Sequence, residues 1–298
     1  MRKSLIFGAN GYIGRHITHS LYKQCFKVIP SGKSPTSIDG YSTYIQADIT
    51  DKIQLEKIDF DVDEIYILSG LTGTDTDKET SAKMHEVNEI GLANILEQHQ
   101  SSKSKALLIY PSTRLVYKGK TNEFLSEDDE KLPLTPYAVS KLNAEDLLQQ
   151  YALKTSCNYV IFRICVPYGN LFDRDYSYGT IGFFLRKVKK QQPITLFGKG
   201  VQKRTFTHIE DISNIMTSVY PNKNCYNTVF NIGGNDHLSL AEAAELFSKK
   251  FGVAIEFIPF PKAAQKVESG DTIFSDKNWQ ACSPYLYQHH LKTWLNNL

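Results

Sequence analysis

The sequence predicts an α/β fold in which a doubly wound parallel sheet is followed by a smaller, less regular C-terminal part. Short apolar runs, "SLIF", "FKVIP", "TYIQADI", "EIYILSG" and "KALLIYPS", alternate with segments of helical period such as "SAKMHEVNEIGLANILEQHQ". That alternation is the pattern of right-handed β-α-β units. A glycine turn, "GANGYIG", falls between the first apolar run and the first helical segment. After about residue 166 the alternation gives way to interleaved Gly, Pro and aromatic residues, which suits a second domain closing over the first.

In chain order, residues 4–7 form the first strand, and "RHITHSLYKQ" a helix with Ile17 and Leu21 on one face. "FKVIP" supplies the second strand and runs into the polar turn "SGKS". "NYVIFRICVPYG" adds a strand near residue 160. "SLAEAAELFSKKFG" reads as a helix, with Ser239 and Glu242 at capping-box spacing and Gly252 where a C-cap would fall. This order assigns residues 1–165, rejoined by 205–235, to the sheet domain, and residues 166–204 and 236–298 to the smaller one. There is no internal repeat and no low-complexity segment.

A chain of 298 residues with 41% hydrophobic and 22% charged residues has the composition of a globular α/β protein. No apolar run approaches the roughly 20 residues of a membrane helix, and "MRKSLIFGANG" is too short in its apolar part for a secretory leader. A cytoplasmic location without membrane contact is expected. Net charge is +2, from 34 basic and 32 acidic residues, which gives no electrostatic footprint for nucleic acid. The run Arg186, Lys187, Lys189 and Lys190 reads as a solvated helix end. Cys25, Cys157, Cys165, Cys225 and Cys282 are scattered without C-x-x-C spacing, so five reduced thiols and no metal site are expected.

In the glycine turn, Gly8 permits the tight bend, Gly11 lets the backbone approach a pyrophosphate, and Gly14 lets the helix pack on the sheet. The diphosphate of a dinucleotide would then lie at the helix N-terminus, as in a Rossmann-type domain. Such a domain usually holds the ribose of NAD with a carboxylate ending the second strand, and here there is none. Ser31, Lys33 and Ser34 offer hydroxyls and a cation, the groups that a 2′-phosphate needs. The expectation is a preference for NADP(H), with NAD(H) as the alternative.

"TPYAVSK" places Tyr137 and Lys141 four residues apart on a helix, hence on one face. A phenol near pKa 10 is a poor proton carrier at neutral pH, and a neighbouring ammonium lowers it toward the working range. "YPSTRLVYKG" precedes the pair at the end of a strand and supplies the Ser112 and Thr113 hydroxyls.

With these residues in place, the sequence resembles the extended short-chain dehydrogenase/reductase family of nucleotide-sugar epimerases, dehydratases and reductases. The resemblance rests on "GANGYIG", "ADIT", "EVNEIGLANIL", "PSTRLVY", "PYAVSK", "FRICVPYG", "KRTFTHIEDI" and "FNIGG", in family order over nearly the whole chain. It implies that Tyr137 is the acid/base, that Lys141 lowers its pKa and holds the nicotinamide ribose, and that Thr113 bonds the substrate oxygen. It further implies a cofactor set of Gly8, Asn10, Gly11, Tyr12, Ile13, Gly14, Asp48, Ile49 and Asn88, with Asp48 toward the adenine. Ser112 and Arg204 would meet the substrate, Arg204 at its diphosphate. The resemblance also implies a nucleotide-diphosphate sugar as partner and a homodimer formed through helices near residues 81–99 and 137–153.

Departures from the family pattern narrow the reaction. Where 4,6-dehydratases carry Asp-Glu after the catalytic threonine, this chain has Arg114 and Leu115, which cannot do that acid/base work. Where 4-epimerases carry R-x-x-N, Arg163 is followed by Ile164, Cys165 and Val166. "LSGLTGT" and "PSTRLVYKG" look like stretches of enzymes that reduce dTDP-4-dehydro-6-deoxyhexoses for surface polysaccharides such as O-antigen. The sequence reading is therefore an NADP(H)-dependent 4-ketoreductase, with dTDP-4-dehydro-6-deoxyglucose as substrate. A 4-epimerase with tightly bound NAD and a non-catalytic dinucleotide sensor are the alternatives. Cys165 and His208 read as packing residues, and His289 and His290, followed by "LKTWLNN", as the exposed end of a final helix.

Overall fold

The apolar runs become strands β1 (Lys3–Phe7), β2 (Lys27–Gly32), β3 (Ile45–Gln46), β4 (Glu64–Ile67) and β5 (Leu107–Thr113). The chain continues with β6 (Phe124–Leu125), β7 (Tyr159–Ile164), β8 (Val166–Tyr168), β9 (Ile194–Phe197) and β10 (Lys203–His208). Then come β11 (Thr228–Asn231), β12 (Asp236–Ser239), β13 (Ile255–Ile258) and β14 (Ile273–Phe274). The computed structural model describes residues 2–73, 75–173 and 177–298; Thr74, the last residue of "LSGLTGT", lies outside the described residues.

Seven strands form one sheet in the order β11-β7-β5-β4-β1-β2-β3. Leu5 of β1 faces Ile29 of β2 on one side and Ile65 of β4 on the other, both in parallel register. The chain therefore winds from β1 outward to β3, then returns to the other side of β1. Sheets of this kind present ligands outside the strand C-termini at that reversal. β4, β5 and β7 are buried along their whole length, as parallel strands covered on both faces are.

This sheet belongs mainly to a unit of residues 1–116, 135–163 and 213–230. A second unit comprises residues 117–134, 164–212 and 231–298. It contains a three-stranded sheet, β12-β10-β8, and the pairs β13-β9 and β14-β6. These limits differ from boundaries at 165, 204 and 235. Residues 117–134 leave the sheet unit because Phe124 and Leu125 pair with Ile273 and Phe274. Residues 205–212 leave it because Phe206–His208 pair with Val166–Tyr168. "NYVIFRICVPYG" is two strands broken at Cys165, and they join different sheets.

The helix Leu240–Phe251 has the Ser239/Glu242 capping box and a left-handed Gly252. The last turn of the helix Gly179–Lys189 carries exposed Arg186 and Lys189, and the C-cap Lys190 is exposed as well. Cys225 and Cys282 are disulfide-bonded, while Cys25, Cys157 and Cys165 are thiols. This corrects the expectation of five thiols, since cysteines so far apart in sequence give no local sign of oxidation. Among the described residues no helix is long and apolar enough to cross a membrane.

Candidate functional site

β1 ends at Phe7 and the chain bends at Gly8, whose φ of +83° favours glycine. A Cβ on Gly8 would lie 2.5 Å from the Ser69 nitrogen, and one on Gly14 would lie 2.0 Å from the Gly8 carbonyl oxygen. Turn and helix therefore meet at backbone contact. The Gly8 and Ala9 amides both donate to the Ser31 carbonyl at 2.9 Å, fixing the end of β2 beside the turn. The helix Tyr12–Lys23 starts from Gly11 with no side-chain cap and no acidic residue in its first turn. Nothing anionic from Tyr12, Ile13 or Gly14 competes there, so these residues fit a dinucleotide diphosphate.

The ribose end is arranged differently from the sequence expectation. Ser31 lies within β2 rather than in the turn after it, fully buried and with no partner for its hydroxyl. Lys33 is exposed and stands 2.9 Å from the Asp48 carboxylate. Burial opposes the Asp48 charge, but Lys33 and Thr50 hold its carboxyl below the usual range. Ser34 is exposed, and its carbonyl accepts the Tyr44 hydroxyl at 2.9 Å. Asn10 braces the same loop, donating to the Thr36 carbonyl at 2.9 Å and accepting the Ile38 amide at 3.0 Å. Ile49 is a packing residue, 4% exposed. Sequence reading missed Arg15, whose guanidinium grips both Asp39 oxygens.

The helix Pro136–Thr155 begins at Thr135, whose hydroxyl accepts the Ala138 amide at 3.1 Å, and it sets Tyr137 and Lys141 one turn apart. Lys141 is 6% exposed. Its ammonium donates to the Tyr110 hydroxyl at 3.0 Å and the Pro111 carbonyl at 2.7 Å. Burial pulls it down to about 7, against the opposing pull of the Glu145 charge. Tyr137 is half-buried. Thr113 ends β5, and its hydroxyl accepts the Leu115 amide at 3.3 Å. A phenol, a poised ammonium and a hydroxyl on neighbouring elements can exchange a proton with a substrate hydroxyl or carbonyl.

Two expected site residues are committed to support. Ser112 donates to Glu145, which also accepts Arg163 at 3.0 Å and 2.6 Å, all three being buried. Glu145 was legible only as the residue one turn beyond Lys141. Asn88 lies on a π turn, Glu86–Ile90, a device common at functional sites. Its side chain accepts the Leu71 amide at 2.7 Å and donates to the Leu71 carbonyl at 3.0 Å and the Ser140 hydroxyl at 2.9 Å. It thereby ties the loop after β4 to the Tyr137 helix.

In the second unit, Arg204 is 2% exposed. It donates to the Lys203 carbonyl at 2.8 Å and the Gly270 carbonyl at 2.6 Å, and pairs with Glu268 at 2.7 Å. The buried Cys165 thiol donates to the Thr272 carbonyl at 3.2 Å. His208 is buried and stacks on His289, ring centroids 4.0 Å apart. His289 is not an exposed helix end. Its two nitrogens stand 3.2 Å from Asp211 and 3.3 Å from Glu210. His208, Glu210 and His289 bring donor atoms within 4.8 Å of one another, a grouping that ion pairing and stacking account for.

The model for the NAD dependent epimerase/dehydratase family matches residues 4–233. A putative UDP-glucose 4-epimerase of Methanocaldococcus jannaschii is 28% identical, over 85% of this chain and 84% of that protein. A UDP-N-acetyl-alpha-D-glucosaminuronate decarboxylase of Bacillus cytotoxicus is 30% identical, over 82% of this chain and 78% of that one. Neither is named as a dTDP-4-dehydro-6-deoxyglucose reductase. The UDP-glucuronic acid 4-epimerase of Bacillus cereus, solved with UDP-glucuronic acid and NAD, superposes with a TM-score of 0.84 at 27% identity, covering 99% and 96% of the two chains. Pal from Bacillus thuringiensis shares the fold, with a TM-score of 0.88 at 22% identity over 99% and 96% of the chains. A match that runs from β1 through β11, joined to a relative 30% identical over most of both lengths, establishes that the chain belongs to the NAD dependent epimerase/dehydratase family.

Proposed function

We propose that this chain is a nucleotide-sugar 4-epimerase that works on UDP-hexoses with retained NAD. The observation that carries the reading is Lys141, a buried ammonium held by Tyr110 and Pro111 on the helix that presents Tyr137. A bound nicotinamide supplies the hydride acceptor and donor. With that group bound, a Tyr137 phenolate stabilised by Lys141 would take the proton of the C4 hydroxyl as that carbon is oxidised to a carbonyl. Thr113 bonds that oxygen. In the second half, Tyr137 would return the proton to that oxygen as the carbonyl is reduced with inverted configuration at C4. Gly8, Gly11 and Gly14 would hold the cofactor diphosphate, and Arg204 that of the sugar nucleotide. Relatives named as UDP-glucose and UDP-glucuronic acid 4-epimerases support UDP and C4.

A second reading, NADPH-dependent reduction of dTDP-4-dehydro-6-deoxyglucose, is favoured by one observation: Ser31 stands where a ribose-binding carboxylate would end β2. Against it, the Lys33 cation already faces Asp48. The Tyr137/Lys141 pair has no use in a sensor. The helices Lys78–His85, Gly91–Ser101 and Pro136–Thr155, with Ile90 and Val139 exposed between and upon them, are the surface proposed for a homodimer.

The deciding experiment incubates the protein with NAD and either UDP-glucose or UDP-glucuronic acid and resolves the C4 epimers by NMR. A parallel sample receives NADPH and dTDP-4-dehydro-6-deoxyglucose. The expected result is epimer without net nicotinamide reduction. Tyr137→Phe is expected to lose about 10²- to 10⁴-fold in turnover while still binding NAD. NADPH consumption without epimer moves the assignment to the reductase.

A further inference from the structure

We propose that Glu268 is an internal anion holding the place of a phosphate on Arg204, and that the substrate diphosphate must displace it. The proposal rests on the nucleotide-sugar reading above and assigns a determinant of affinity within it.

Arg204 is almost fully buried, and a buried guanidinium requires a counter-anion. Glu268 supplies it through one oxygen, Oε1, which takes an N–H of Arg204 at 2.7 Å and the Gly270 amide at 3.0 Å. An arginine N–H and a backbone N–H converging on one anionic oxygen are the donors that bind a phosphate oxygen. Between the two residues, the Ser269 hydroxyl is buried without a partner, a third donor in the same turn. The carboxylate therefore stands where a phosphate oxygen would be received.

The two ends of the pair are held unequally. Arg204 is anchored by the Lys203 and Gly270 carbonyls. Glu268 is 25% exposed in its side chain and can turn to water. The charges decide the exchange. Arg204 and Glu268 sum to zero, so a diphosphate arriving beside both meets a like charge in a poorly solvated site. If Glu268 leaves, the guanidinium stays neutralised and the Gly270 amide passes to the ligand. The ion pair thus lowers affinity for every diphosphate ligand and leaves a bare nucleoside unaffected.

The test is titration calorimetry of the full chain with UDP, dTDP, CDP and GDP, and with the corresponding nucleosides, using wild type, Glu268→Gln and Arg204→Gln. At least one diphosphate is expected to bind the wild type. Glu268→Gln should bind it about 10-fold tighter, Arg204→Gln should lose it, and the nucleosides should not discriminate. If Glu268→Gln melts early, Glu268→Asp, whose carboxylate falls one methylene short, should bind about threefold tighter. Wild-type binding that neither variant tightens overturns the proposal alone. No diphosphate binding to any form removes the nucleotide-sugar reading and this proposal with it.

Discussion

The Lys141 ammonium lies 3.0 Å from the Tyr110 hydroxyl and 4.2 Å from the centre of the same ring. Burial brings it down to about 7, whereas an unfolded lysine keeps its proton to about 10.4. Between those values the unfolded chain binds more protons, so stability rises with pH across the window. The urea midpoint of the wild type should climb between about pH 7 and pH 9 relative to Lys141→Met, which has no proton to lose. Parallel curves would reject the lowered ammonium. Tyr110→Phe removes an acceptor from the charged form and should move the window to lower pH.

Glu145 joins Ser112 to Arg163 inside the sheet unit. Glu145→Ala leaves a buried guanidinium without its carboxylate, and should cost about 3–5 kcal/mol in urea unfolding. Ser112→Ala removes one neutral donor and should cost about 1 kcal/mol. Similar small losses in both would show that the network does not hold this corner.

The glycine turn separates two substitutions that look alike in sequence. A Cβ on Gly14 meets the Gly8 carbonyl at 2.0 Å, but one on Gly11 stays 3.2 Å from it. Gly14→Ala must open the turn, with strain of about 1–3 kcal/mol and NADH binding weaker by about tenfold or more in a fluorescence titration. Gly11→Ala should lose less stability. The reverse order would mean that the helix does not seat on the turn as described.

What is legible in the sequence is local. Gly8, Gly11 and Gly14 act through spacing, Tyr137 and Lys141 through a helical turn, and the parallel sheet through alternating periods. Ser31 misleads because a polar residue next to Gly-Lys-Ser reads as a turn, while in the fold its carbonyl is needed by the Gly8 and Ala9 amides and the strand runs through it. The partners of Arg163, Ser112 and Arg204 lie 18, 33 and 64 residues away, separations that leave no periodic trace. The same is true of Phe124 and Leu125, which join the second unit through Ile273 and Phe274.

His289 offers a pH test in the second unit, apart from the proposed chemistry. Its nitrogens face Asp211 and Glu210, and its ring lies on His208. The Asp211 hydrogen bond raises its pKa, partly opposed by burial, so the folded chain holds the proton more tightly than the unfolded one. The stabilisation is therefore fully present below about 6.5, the unfolded value, and is lost as pH rises through the raised folded value. His289→Gln should cost about 1 kcal/mol near pH 5.5 and progressively less toward pH 9 in chemical denaturation. Asp211 also accepts the Tyr285 hydroxyl at 2.9 Å and the Gln288 amide at 3.0 Å, so Asp211→Asn should remain costly at both ends of that range. A His289→Gln deficit that does not change with pH would assign the contribution of this histidine to stacking on His208 rather than to its charge.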